Sequence, residues 1–201
     1  PYLNALKNEL LLQKSRLPGS IQLRTIFIGG GTPTFIGVER VIELLTHVHQ
    51  CFAVAEQCEI SIETNPELLE TGDYKMLVRS GINRLSIGVQ SFVDTELLQL
   101  GRIHSAQKAA HAYEKARSAG FRNINLDLMY GIPGQTPDSW ERSIMVAKGL
   151  NPEHLSLYQL SIEEGTEFER CWNNRQISLP SEIEVNTMDQ LTQTLCVPVY
   201  E

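Results

Sequence analysis

At 201 residues the chain is long enough for one domain with its own buried core. Hydrophobic residues make up 42% and charged residues 20%, the balance of a globular fold in water. The formal net charge of −7 argues against nucleic acid or an anionic membrane as partner, and no apolar run approaches the roughly 20 residues of a spanning helix. Residues 1–5 lack a basic-then-apolar leader pattern, so the expected compartment is the cytoplasm. The sequence starts without Met, which leads us to expect a fragment or a processed product. The spacing of Cys51, Cys58, Cys171 and Cys196 fits neither a zinc ribbon nor a C-x-x-C pair. They read as reduced thiols, with a metal shared by Cys51 and Cys58, across a short helix-to-strand link, as the alternative.

Helical and strand periods then alternate along the chain. Leu3, Leu6, Leu10 and Leu11 fall at helical spacing over residues 2–15, and Pro18 with Gly19 ends that run. Residues 23–28 predict a strand, residues 38–52 a helix built on Val41, Leu44, Leu45 and Val48, and residues 58–63 an alternating strand. A helix over residues 70–80 stops at Gly81. A third strand follows at 84–89, helices at 94–100 and 105–119, a fourth strand at 122–129, a helix at 137–149 and a fifth strand at 154–160. Two helices at 166–175 and 181–195 precede a tail at 197–201. Strands separated by helices imply parallel neighbours, because a parallel pair needs a crossover between its members. An open doubly wound sheet and a partial barrel both fit this α/β order. No linker divides the chain, so residues 1–201 read as one domain. It opens on a helix, which leads us to expect a further strand before it.

Ligands of parallel α/β folds bind at the carboxyl ends of the strands. Those ends hold Gly29 to Pro33, then Glu63-Thr64-Asn65-Pro66, then Gln90-Ser91, then Asp127 with Tyr130 to Gly134, then Gln159 and Ser161. Polar groups thus gather at one end of five otherwise apolar runs, as a polar small-molecule site requires. Singly, each residue has a plainer reading. The glycine triplet serves as an anion-binding turn or simply as a turn. Glu63 suits ribose hydroxyls or an amine, and equally a solvated carboxylate. Asp127 points opposite to Leu126 and Leu128, as a ligand group or a structural one. Arg102 reads as a surface charge, and Gln90 alone carries no signal. His47 and His49, two apart on a helix, do not face each other.

Taken together, Ile26 to Thr34 (Ile-Phe-Ile-Gly-Gly-Gly-Thr-Pro-Thr), Glu63 to Pro66, Asn83 to Phe92, Leu100-Gly101-Arg102-Ile103-His104 and Asp127 to Thr136 resemble the oxygen-independent coproporphyrinogen III oxidase family of the radical SAM superfamily. The stretch His154 to Leu160, followed by Glu164-Gly165-Thr166, is more similar to the HemW-type heme chaperone branch. The motifs run in order along nearly the whole chain. The resemblance implies a partial (β/α)6 TIM-like barrel with S-adenosyl-L-methionine (SAM) across the strand ends. It implies that Gly30, Gly31 and Thr32 border the methionine end of SAM through backbone groups and that Glu63 hydrogen-bonds it. It implies that Gln90, Arg102 and Asp127 match positions that contact a second SAM in the oxidase relatives.

The departures are equally specific. The family holds a [4Fe–4S] cluster on three cysteines spaced C-x-x-x-C-x-x-C after its first strand, and no such run occurs here. The family's C-terminal domain, which carries a heme motif in the HemW-type branch, is also not matched. We therefore expect a radical SAM core truncated at both ends, with no metal site of its own and the cluster only in a full-length parent. The expected parent is a heme-trafficking chaperone whose partners are SAM, heme or porphyrin, and a heme-accepting protein. The alternative is a coproporphyrinogen III oxidase of porphyrin biosynthesis. A barrel open on one side should also expose apolar strand surface and favour self-association.

Overall fold

A computed structural model describes residues 1–17, 19 and 21–196. The elements alternate as α1 (Tyr2–Arg16), β1 (Gln22–Ile28), a 3-10 turn (Pro33–Ile36), α2 (Val38–Cys51), β2 (Ala53–Thr64), α3 (Thr71–Arg79) and β3 (Arg84–Gln90). They continue as α4 (Asp94–Gln99), α5 (Ala106–Ala119), β4 (Asn123–Tyr130), α6 (Pro137–Leu150), β5 (His154–Gln159), α7 (Glu167–Asn173) and α8 (Glu182–Cys196). The five strands pair in sequence order, all parallel, and curl into a half-barrel. That resolves the choice between an open sheet and a barrel. No helix among the described residues is long and apolar enough to cross a membrane. The breaker Pro18 and the tail 197–201 lie outside the described residues.

The helix ends follow from local chemistry. Ser105 caps α5 by accepting from the Lys108 amide, and Gly120 closes it at φ 114°. Thr136 and Ser139 form a capping box at the start of α6, with Pro137 in the first turn, where its missing N–H costs nothing. Alternate residues of the inner strands then bury completely. Leu85, Ile87 and Val89 of β3 and Ile124, Leu126 and Leu128 of β4 are all fully buried among helix residues such as Leu77, Ala116 and Ile144. Trp140 of α6 is likewise fully buried, and its indole N–H lies 3.1 Å from Met188 O, which docks α8.

Two expectations need correction. The second strand begins at Ala53, five residues before the expected start, and the helix-to-strand link is Phe52 alone. Gln22 and Leu23 pair with Ala53 and Val54, and the register then shifts, so that Thr25 pairs with Glu59. Neighbouring β1 therefore recruits a segment that has no alternation of its own. Cys51 consequently ends α2 while Cys58 lies inside β2, and both are free thiols. Among the described residues, no strand pairs with the outer side of β1. There, Leu3, Leu6 and Leu10 of α1 face Leu23, Phe27 and Ile28 across an apolar groove of about 660 Å³.

Candidate functional site

In-register partners of a parallel sheet share a face. Glu63 pairs with Ser86, Ser86 with Asn125, Gly88 with Asp127, and Asp127 with Ser156. These residues therefore line the face opposite to Leu85, Ile87, Leu126 and Leu128, toward the inside of the half-barrel. Asp127 stands as alternation with its two leucine neighbours requires.

The loop after β1 is tied to the end of β2. Gly30 and Gly31 adopt φ of 90° and 49°, which favour glycine. The Gly30 amide donates to Glu63 Oε2 at 3.2 Å. Asn65 Nδ2 donates to Thr32 Oγ1 at 3.1 Å, and the Thr34 and Thr64 hydroxyls bond at 2.8 Å. The triplet is thus more than a turn, because one of its amides holds a carboxylate from the next strand. Gly31 makes no side-chain contact of this kind.

The end of β3 is bent. Gln90 has φ 70°, and the Ser91 amide donates to Val89 O at 2.9 Å, closing a three-residue γ-turn. This form is rare for a non-glycine residue and costs on the order of 1–3 kcal/mol. It coincides with a register shift between Gly88 and Gln90 against β4. A Cβ on Gly88 would lie 2.9 Å from Asn65 Oδ1 and 3.0 Å from Gln90 Nε2, so only glycine lets those two amides close over the strand. Behind the turn, Ser91 Oγ donates to Glu96 Oε2 at 2.6 Å, Gln135 Nε2 to the same oxygen at 3.0 Å and Ser139 Oγ to Oε1 at 2.5 Å. This buried carboxylate binds the loops after β3 and β4 together through neutral donors.

Asp127 accepts from Ser86 Oγ at 3.0 Å and from Asn125 Nδ2 at 2.6 Å. Asn125 Oδ1 in turn lies 2.6 Å from His154 Nδ1 and accepts from Ser156 Oγ at 3.1 Å. The Asp127 carboxylate is therefore held by side chains, and each oxygen keeps acceptor capacity. Arg102 follows a helix-ending device. The Arg102 amide donates to Leu97 O and the Gly101 amide to Leu98 O, with Gly101 at φ 66°, a Schellman closure of α4.

Tyr158 of β5 joins these pieces. Its hydroxyl donates to Gln90 Oε1 at 2.7 Å. Its pKa is raised above the ordinary phenol value, first by burial and then by the negative charge of Asp127, with Glu63 adding to the rise. The positive charge of Arg102 opposes that rise. Gln90 is thus bonded to this phenol, and the charges of Asp127, Arg102 and Glu63 are near enough to shift it. Tyr158 itself was not singled out from the sequence, nor was Asn65 as a site residue. Both sit on expected strand ends, but their roles depend on partners at least 33 positions away. Among the described residues, no three His, Cys, Asp or Glu side chains are grouped as a metal ion would need.

The profile of the Radical SAM superfamily matches residues 3–147. The chain belongs to the radical SAM superfamily. It is 38% identical over 194 residues to the heme chaperone HemW of Bacillus subtilis, covering 96% of this chain and 51% of that protein. It is 42% identical over 166 residues to the heme chaperone HemW of Escherichia coli, covering 83% of this chain and 43% of that protein. It spans about half the length of the curated relatives it matches. Among solved structures, coproporphyrinogen III oxidase (HemN) from Escherichia coli, a radical SAM enzyme, superposes with a TM-score of 0.86 at 29% identity, covering 98% of this chain and 45% of that one.

Proposed function

We propose that this chain is the SAM-binding core of a HemW-like heme chaperone. The observation that carries the reading is that Glu63, Gln90 and Asp127 lie on one face of adjacent parallel strands, where the Gly30 amide bonds Glu63 and Tyr158 bonds Gln90. SAM is a zwitterionic amino acid joined to a nucleoside through a cationic sulfur. The rim offers a matching donor set: carboxylates for an ammonium, a sulfonium or ribose hydroxyls, and a guanidinium with glycine-loop amides for a carboxylate. Gly30 to Thr32 would border the amino-acid end, and Glu63, already bonded to the Gly30 amide, would meet its charged groups. Gln90, Arg102 and Asp127 would hold a second polar portion, or a second SAM, further round the barrel.

A reduced [4Fe–4S] cluster in the whole protein would supply one-electron radical chemistry to bound SAM. The described residues do not provide a thiolate set for that cluster. What this chain's own residues do is orient the ligand and limit its access to water. Similarity to the HemW proteins over most of this chain supports heme trafficking as the role of the whole protein, with heme and a heme-accepting protein as partners. The fold likeness to the oxidase favours a second reading, porphyrinogen oxidation. Anaerobic turnover of coproporphyrinogen by the intact protein would select that second reading, and heme binding without turnover the first.

Calorimetric titration of SAM into this chain tests the common part. Binding weakened about tenfold or more by Glu63→Gln is expected, since a bond to a charged group is lost. Absence of binding by the unaltered chain contradicts the reading.

A further inference from the structure

His104 stands outside the rim yet is built into its support. It is 4% exposed and lies two positions beyond Arg102 on the loop leaving α4. Its Nδ1 is 3.0 Å from Glu67 Oε2, on the link between β2 and α3. Its Nε2 is 3.1 Å from Val89 O at the end of β3. A backbone carbonyl only accepts, so Nε2 is a donor in this bond. One ring thus pins three separate segments.

Val89 O is also the acceptor that closes the γ-turn, from the Ser91 amide at 2.9 Å. The turn places Gln90 at φ 70°, where a non-glycine residue persists only if its surroundings over-determine it. The Ser91–Glu96 bond holds the turn from behind and the Tyr158–Gln90 bond from the front. His104 supplies the tie from the Arg102 loop. We propose that His104 is a positioning residue: its Nε2 bond to Val89 O holds the strained turn that aims Gln90 at the rim. This deepens, and rests on, the reading of the rim as a SAM site. Without the Nε2 bond the turn relaxes toward an extended φ, and the Gln90 amide swings away from Tyr158 and Gly88.

Two substitutions separate the two bonds. The amide nitrogen of Gln can reach the Nε2 position, whereas that of Asn reaches only the Nδ1 position. Titration of SAM by calorimetry should give His104→Gln an affinity within about threefold of the unaltered chain and His104→Asn a loss of roughly tenfold. Unchanged binding by His104→Asn overturns the proposal. Equal losses in both variants also overturn it, because ring packing rather than the Val89 bond would then matter. A second measurement uses the unaltered chain without ligand, so it does not depend on any variant folding. Long-range proton–nitrogen NMR should show a proton on His104 Nε2, and the Ser91 amide should exchange slowly. An unprotonated Nε2 overturns the proposal. Both NMR signatures without SAM binding would support the strut and sink the SAM reading alone.

Discussion

The middle of the sheet and its β1 edge are built differently. At β3 and β4, every second residue is fully buried against helices, and the opposite residues form a connected polar network through Ser86, Asn125 and Asp127. At β1, no strand among the described residues pairs with the outer edge, Phe27 is 62% exposed and α1 contributes no fully buried residue. The same fold therefore holds a rigid half, where polar side chains are aimed by a packed core, and a half with little burial to hold it. The site residues divide accordingly. Gln90 and Asp127 stand on the packed part, while Gly30, Gly31 and Thr32 stand at the open edge and depend on Glu63 and Asn65 for their position.

The largest expected effect comes from cutting into the packed half. Trp140→Ala removes a fully buried ring and the tie to α8, and should cost about 3–5 kcal/mol in denaturant unfolding. Leu11→Ala on α1, where the side chain is half exposed, should stay within about 0.5 kcal/mol. Equal costs at the two positions would erase the contrast.

A smaller effect sharpens the site rather than the fold. Tyr158→Phe removes one hydrogen bond to Gln90 and should lower SAM affinity roughly two- to tenfold by calorimetry, with little change in unfolding. Unchanged affinity would mean that the Gln90 amide needs no partner to be aimed.

The smallest effect is one of pH. Glu153 accepts from the Arg117 guanidinium at 2.8 Å and from the Ile124 amide at 2.9 Å, fastening α5 to the start of β4. Burial alone would raise its pKa, but the bonds to Arg117 and Ile124 outweigh burial, and the net shift is downward from 4.5. A depressed folded value stabilises the fold above the unfolded pKa, and that contribution is lost as pH falls below about 4.5 through the folded value. The pair is partly exposed, so salt should weaken it. Thermal melts of the unaltered chain and Glu153→Gln should converge as pH drops through this window; a constant gap would count against the pair.

The same contrast explains what was legible in the sequence. The alternation of β3 and β4 and the capping residues at Ser105 and Thr136 are local signals, and they put those elements within a residue or so of their observed bounds. The early start of β2 was illegible, because Ala53 and Val54 pair only through a register shift that β1 supplies. The strand ends pointed to Glu63 and Asp127, but the Gln90 turn and the Tyr158 phenol were hidden. Each takes its role from contacts far along the chain, such as the 68-residue separation between Gln90 and Tyr158. Arg102 lay between these cases. Gly101 marks a helix end, and the Schellman closure there sets the backbone of Arg102.

Backbone NMR shifts recorded while SAM is added reach the central claim most directly. The account predicts that the amides of Gly30, Gly88, Ser91, Arg102 and Met129 move together along one binding curve. Shifts confined to the groove between α1 and β1, or no shifts at saturating SAM, would contradict it.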